Sequence, residues 1–241
     1  MRLIMTLFTV IILVPSGKLL AQSQTVGWLA LNNAFNTGKK TGIHFDAQFR
    51  SSDKTEHLQT LLLRPGFNYR FNSRMTGTLG YALIQNRREV GTASGYVTEH
   101  RIWEQFLYNH NWKYLNISHR FRVEQRWIGT AGITGDRIKT EDYFAAQRLR
   151  YFFRSIIPFN GEQSFTRGFF GAVQDEIFGN IGNTDRLNGR FFDQNRLYLA
   201  LGYRLSKKAD LEGGYMNQYV RGKGRSFTNS HIAQFAVYAR L

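Results

Sequence analysis

Cysteine is absent from this 241-residue chain, which excludes a disulfide scaffold and any thiolate metal site while leaving the redox compartment open. Proline occurs only three times, and acids are scarce, 17 against 32 Lys and Arg, for a formal net charge of +15. No apolar run approaches the roughly 18 residues that a membrane-spanning helix needs. With a mean hydropathy of -0.37, this excludes a polytopic helical membrane protein. It does not exclude a membrane barrel, whose apolar residues alternate with polar ones and average out. Catalytic signatures are missing too: there is no GxSxG elbow, P-loop or GxGxxG sequence, and the six His show no metal-site spacing. No catalytic residue, metal site or cofactor is expected.

What is present begins with an export signal. Arg2 precedes an apolar stretch from Leu3 to Val14; Pro15, Ser16 and Gly17 follow, and Leu19-Leu20-Ala21 offers a small residue for cleavage. This is the layout of a secretory signal peptide, too short in its apolar part to anchor the chain. Removing residues 1–21 takes away Arg2 and Lys18 and no acid, so the mature chain, 22–241, would carry +13.

From Thr41 onward the sequence alternates with period two, the signature of strands with one apolar and one polar face. In 43–50, Ile43, Phe45, Ala47 and Phe49 separate completely from His44, Asp46, Gln48 and Arg50. Likewise Leu115, Ile117, Phe121, Val123 and Trp127 oppose Asn116, Ser118, Arg120, Arg122, Glu124 and Arg126. The same sorting occurs at 61–71 and 196–205, and more weakly at 75–88, 96–110, 142–154, 166–179, 209–220 and 229–241. These segments make ten strands, and Thr25 to Phe35 reads as an eleventh. Their length fits strands that cross a bilayer obliquely, about 9 to 11 residues, rather than the mode of about 5 to 6 in globular proteins.

The connections are expected to alternate. Those at 72–75, His110-Asn111 and 206–209 read as short turns, and 88–96, 128–142, 179–191 and 220–229 as long loops, with 154–166 long where a short turn is expected. That asymmetry fits an outer-membrane barrel with short periplasmic turns and longer outer loops. Such barrels in bacteria have even strand counts, so ten or twelve strands are expected.

A water-soluble, lipocalin-like barrel would bury the apolar set, and a membrane barrel would turn it outward. The outward arrangement is favoured by the Arg-rich polar face and by aromatics at the ends of the apolar face, among them Trp112, Trp127, Tyr151, Tyr203 and Tyr215. The chain also closes with Phe235, Val237, Ala239 and Leu241 on one face, similar to the C-terminal signal of outer-membrane barrels, with Leu241 replacing the usual aromatic.

Several clusters resemble the domain-of-unknown-function family 2490 of exported proteins. They are Glu99-His100-Arg101-Ile102-Trp103-Glu104-Gln105, His119 through Arg126, Arg148-Leu149-Arg150-Tyr151, Asp175-Glu176-Ile177-Phe178, Phe192 through Leu197, and Gly214-Tyr215-Met216-Asn217-Gln218. Asp175 stands where the family would have Asn. The resemblance spans most of the mature chain and implies an outer-membrane-type β-barrel; it supplies no activity and no catalytic residue.

Pointing the polar sets inward fills the lumen with Arg50, Arg64, Arg70, Arg101, Arg120, Arg122, Arg126, Arg148, Arg150, Arg196, Arg204 and Arg240, against Asp46, Glu99, Glu124, Glu176 and Glu212. The candidate charge network is Glu99, Arg101, Arg120, Arg122, Glu124, Arg126, Arg148, Arg150, Glu176 and Arg196. Arg suits bidentate pairing with carboxylates, which favours a closed, salt-bridged barrel; the surplus of positive charge is compatible with a small anion-preferring pore.

A rim-sited lipid-modifying enzyme is the alternative, but Ser118 and His119 are adjacent and so point to opposite faces, as do Ser230 and His231. His100 and His119, on apolar faces of consecutive strands, are its best candidates. Basic residues spread along strands give no contiguous nucleic-acid patch. Those in the connections, including Lys39, Arg87, Lys139 and Lys223, suit anionic lipid and glycolipid head groups. The expectation is a monomeric, all-β, antiparallel transmembrane barrel in the outer membrane, with lipid, glycolipid and small anions as partners.

Overall fold

The computed structural model describes residues 21–162 and 164–241. The expected signal peptide lies outside them except for Ala21, which opens the first strand. Eleven strands follow: β1 Ala21–Asn36, β2 Thr41–Ser51, β3 Leu58–Arg70, β4 Met75–Val90, β5 Ala93–Trp112, β6 Leu115–Thr134, β7 Arg137–Pro158, β8 Gly168–Ile181, β9 Phe192–Ser206, β10 Ala209–Arg221 and β11 Phe227–Arg240. A single 3-10 turn, Asp53–Thr55, is the only helical element among the described residues.

Each strand pairs antiparallel with the next, and the sheet closes on itself. The count falls between the expected ten and twelve, because Thr25 to Phe35 belongs to a full strand and the closure is parallel. β1 runs beside β11 from Ala21↔Phe227 to Ala34↔Arg240, and beside β2 antiparallel. With an odd number of strands the first and last must run the same way, so the even-count rule of most bacterial barrels does not apply.

The connections also differ from expectation. Residues 88–96 and 128–142 are largely strand: β4 and β5 turn at Gly91-Thr92, and β6 and β7 at Gly135-Asp136. Gly91 and Gly135 both have φ of 60°, the left-handed backbone that tight hairpin turns require. Period two is faint there because a register shift at Thr130/Ala131 interrupts the β6–β7 ladder and the two hairpins pack together through Ala93, Val97 and Ile138, while Lys139, Glu141 and Asp142 are exposed. The asymmetry of the barrel therefore lies in hairpin length more than in loop length. At the opposite end, the short turn expected at His110-Asn111 falls at Lys113-Tyr114. The connection after β7 is long, residues 159–167, and it tucks Phe165 against Phe170 under the barrel.

The packing is inverted relative to a water-soluble barrel. Leu79, Leu201 and Phe235 are 58%, 67% and 65% exposed, whereas Glu124 and Asp210 are 1% exposed. Inside, among the described residues, strand side chains fill the bore. Trp103 on β5 is fully buried because its neighbours have no side chain: a Cβ at Gly80 would stand 2.3 Å from the indole, and one at Gly66 3.0 Å. Next to this site the β3–β4 ladder skips Arg64 and Pro65 between Leu63↔Leu83 and Gly66↔Gly80, where proline has no N–H to donate.

Candidate functional site: a charged belt between two cavities

Alternation along β5 to β9 delivers Arg and Glu to one cross-section of the bore, and the strand register decides which of them meet. Glu124 on β6 faces Arg148 on β7, and Arg122 faces Arg150. Glu176 on β8 faces Phe152 on one side and Arg196 on the other. On β5, Arg101 faces Arg126 and Trp103 faces Glu124.

Glu124 is the hub. Its Oε2 accepts from Arg148 Nη2 at 2.7 Å and Nε at 3.0 Å, and its Oε1 accepts from Arg150 Nη1 at 2.5 Å. Arg101 and Arg122 stand further off, at 3.5 and 3.8 Å. Arg150 then continues to Glu176, donating to Oε1 through Nη2 at 2.6 Å and Nε at 3.0 Å. The same oxygen accepts from Arg120 at 2.6 Å, while Arg196 approaches the other at 4.0 Å. A second node is Glu99, which takes Arg101 at 2.7 Å and Arg126 at 2.6 Å. Arg122, short of carboxylates, donates twice to Gln105 at 3.1 and 2.6 Å.

All ten residues of the expected network thus lie in one connected cluster. Rings stack on its guanidinium planes: Trp103 under Arg122 at 4.3 Å, Phe152 under Arg120 at 4.1 Å and Phe178 under Arg150 at 4.5 Å. Arginine suits this packing because its planar fork offers edge donors to carboxylates and a flat face to aromatics.

Other expected lumen charges form separate pairs towards the short-turn end or the bore wall. Arg64 bonds Asp46, and Arg204 reaches Asp210 at 2.8 and 3.1 Å. Arg240 also meets Asp210, at 2.8 Å, and Glu212 is held by Arg154. Arg70 does not join the network: it bonds Asn36 and the Gly38 carbonyl, pinning the β1–β2 turn at the rim. Arg50 has no acid partner among the described residues; it donates to Gln48 at 2.6 Å and lies 4.0 Å above Trp28.

Arg154, Asp193 and Asp210 were absent from the expected lumen set, as were its aromatic fillers. Parity alone would have placed Arg154 with Arg148 and Arg150, Asp210 with Glu212, and Trp103 with Glu99 and Arg101. Asp193, 3.2 Å from Arg148, follows the irregular register at Gly179↔Phe192, which alternation cannot reveal.

Two cavities flank the belt. The larger, about 660 Å³, opens towards the long hairpins. The smaller, about 410 Å³, opens towards the short turns. A single strand shows what separates them. On β6, Arg126 lines the larger cavity and Arg120 the smaller, while Arg122 and Glu124 between them line neither. On β5, Arg101 and Gln105 line opposite cavities, and buried Trp103 lies between.

The histidines weighed for catalysis are held by tyrosines on the outer face. His100 Nδ1 is 2.5 Å from the Tyr81 hydroxyl and its Nε2 3.3 Å from that of Tyr143. His119 Nδ1 is 2.9 Å from the Tyr151 hydroxyl, its ring stacked on His110 at 5.3 Å. His231 meets Tyr215 at 2.6 Å. Ser118, on the opposite face, donates to Asn109 at 2.7 Å. Among the described residues no group of His, Asp and Glu could hold a metal ion.

Against known proteins, a family model described as "Protein of unknown function (DUF2490)" matches residues 25–229. An uncharacterized protein of Methylorubrum extorquens is 24% identical over 200 residues, covering 81% of this chain and 78% of the relative. No solved structure matches.

Proposed function

Because the chain belongs to the DUF2490 family of proteins of unknown function, its role has to be read from its own geometry, and we propose that it is an outer-membrane β-barrel whose bore is sealed at mid-height, a closed structural barrel rather than an open channel. One observation carries the reading: of the cations a pore would present to solutes, Arg120 and Arg126 are hydrogen-bonded to Glu176 and Glu99, and Arg122 is held by Gln105 with Glu124 3.8 Å away. Seven belt guanidiniums share Glu99, Glu124 and Glu176, and buried charges held in such a network do not move aside cheaply. Breaking a buried pair by removing one partner costs about 3–5 kcal/mol.

The membrane setting is supported by the inverted packing. Large apolar side chains, mostly leucine and aromatic, are exposed on every strand, whereas a soluble monomer rarely exposes contiguous apolar patches larger than a few hundred Å². His–Tyr and Trp clusters such as His119 with Tyr151 put amphipathic rings on that surface, as interfacial aromatic girdles do. Basic residues in the turns, including Lys39 and Lys223, suit the phosphates of lipid and glycolipid head groups.

The test is conductance. Purified protein in planar bilayers is expected to give no steps, and the double variant Glu124→Ala, Arg150→Ala small steps that prefer anions. Steady large currents from the unaltered protein, above all cation-selective ones, would refute the sealed bore.

A further inference from the structure

The larger cavity carries positive charge that no acid among the described residues neutralises. Both acids in its wall are already engaged, Glu99 by Arg101 and Arg126, and Asp193 by Arg148. Four further cations line it, Arg50, Arg88, Arg221 and Lys223, and among the described residues none has a carboxylate within 4.0 Å. Two of the wall guanidiniums are also pre-aimed. Arg50 and Arg196 lie over the same indole, with Cζ 4.0 and 5.1 Å from the Trp28 ring centroid. The Nε groups of Arg50, Arg64 and Arg196 are shielded from water and have no hydrogen-bond partner among the described residues, although Arg64 is only 5% exposed. A shielded donor on a charged group without an acceptor is costly. These guanidiniums are short of counter-charge, which an anion with several oxygens in the cavity would supply.

We propose that this cavity is a binding site for a small soluble polyanion bearing phosphate or carboxylate groups, with Arg50 and Arg196 as its central clamp and Arg221 and Lys223 at its mouth. The volume of about 660 Å³ lies within the range of about 300–1,000 Å³ typical of small-molecule sites. Arginine forks held flat against an aromatic ring lose little freedom on engaging a planar oxyanion, which favours bidentate recognition. A free solute fits better than a lipid head group, because the cavity opens along the bore and the strands wall it off from the outer face. Leu62, Ile84, Val97 and Phe144 are among the apolar residues of the lining and suit an apolar portion of the ligand. The proposal uses the sealed bore in one respect only: the site ends blind on the charged belt, so its ligand is held rather than passed. Conductance tests the seal, and binding tests this site.

Isothermal titration of the full barrel in detergent micelles, with inorganic pyrophosphate and with citrate as probes, decides the matter. Saturable binding that weakens as salt rises is expected with at least one probe. Arg50→Gln and Arg196→Gln should each weaken it by about tenfold or more. Arg221→Gln, at the mouth and outside the belt, should weaken it by a smaller factor without risk to folding, and Lys39→Gln, at the opposite end, should leave it unchanged. Absence of saturable heat with both probes at millimolar concentration would overturn the proposal. So would binding that Arg50→Gln, Arg196→Gln and Arg221→Gln in folded protein all leave intact.

Discussion

Glu124 stands directly opposite Arg148 in the β6–β7 ladder, and the two side chains meet at 2.7 Å inside the bore. Because the partners face each other across adjacent strands, the sheet register itself holds the pair together, and three further arginines converge on the same carboxylate. Glu124→Ala would leave this group of buried cations without its shared counter-charge. A loss of about 3–5 kcal/mol is expected, measured by urea unfolding in lipid vesicles. A loss below 1 kcal/mol would mean that water screens the belt.

The contact between Gly80 and Trp103 makes the reverse kind of demand, on space. Gly80→Ala places a methyl 2.3 Å from the indole and should destabilise the barrel by about 1–3 kcal/mol, the usual cost of overpacking. Adding Trp103→Ala should make the glycine substitution nearly neutral in a double-mutant cycle. Strictly additive costs would show that the ring does not lie over Gly80.

The membrane assignment is open to a substitution on the outer face. Leu199 is 49% exposed near the middle of β9. Leu199→Arg should cost about 2–4 kcal/mol if that position lies at the bilayer midplane, read from folding equilibria in vesicles. On a barrel facing water the same change would be nearly neutral.

The parallel closure can be checked covalently because the chain has no native Cys. Ala30 and Ala236 are register partners on β1 and β11, both buried and small. Ala30→Cys with Ala236→Cys should oxidise to one intramolecular cross-link, since neighbouring strands lie about 4.7–4.9 Å apart and disulfides need Cα atoms closer than about 7 Å. Failure to cross-link would count against β1 as the closing strand.

The lipid-modifying alternative predicts acyl release from phospholipid or lipopolysaccharide. None is expected, because the outer-face histidines bond tyrosine hydroxyls and Ser118 is bonded to Asn109 on the other face. Release abolished by His100→Ala or His119→Ala would reinstate an enzyme.

Alternation in the chain determined the all-β class, the long strands and the facing of the side chains in the clearly alternating segments, because period two is a local property of an extended backbone. Ile43 to Arg50 could be sorted without knowing any neighbour, and the ten network residues were placed inward in the same way. Which Arg meets which Glu was beyond that reading. Pairing of Glu124 with Arg148 and Arg150, or of Arg126 with Glu99, depends on register between strands, and register is set by turns whose exact positions the polar hairpin tips concealed. The eleventh strand was visible as a segment, but its parallel seam with β11 exists only once the sheet has curled far enough for the first and last strands to meet. The two cavities are likewise tertiary: Arg120 and Arg126 belong to one strand face, and only the bulk of Trp103, Arg122 and Glu124 filling the bore between them assigns them to opposite sides of a seal.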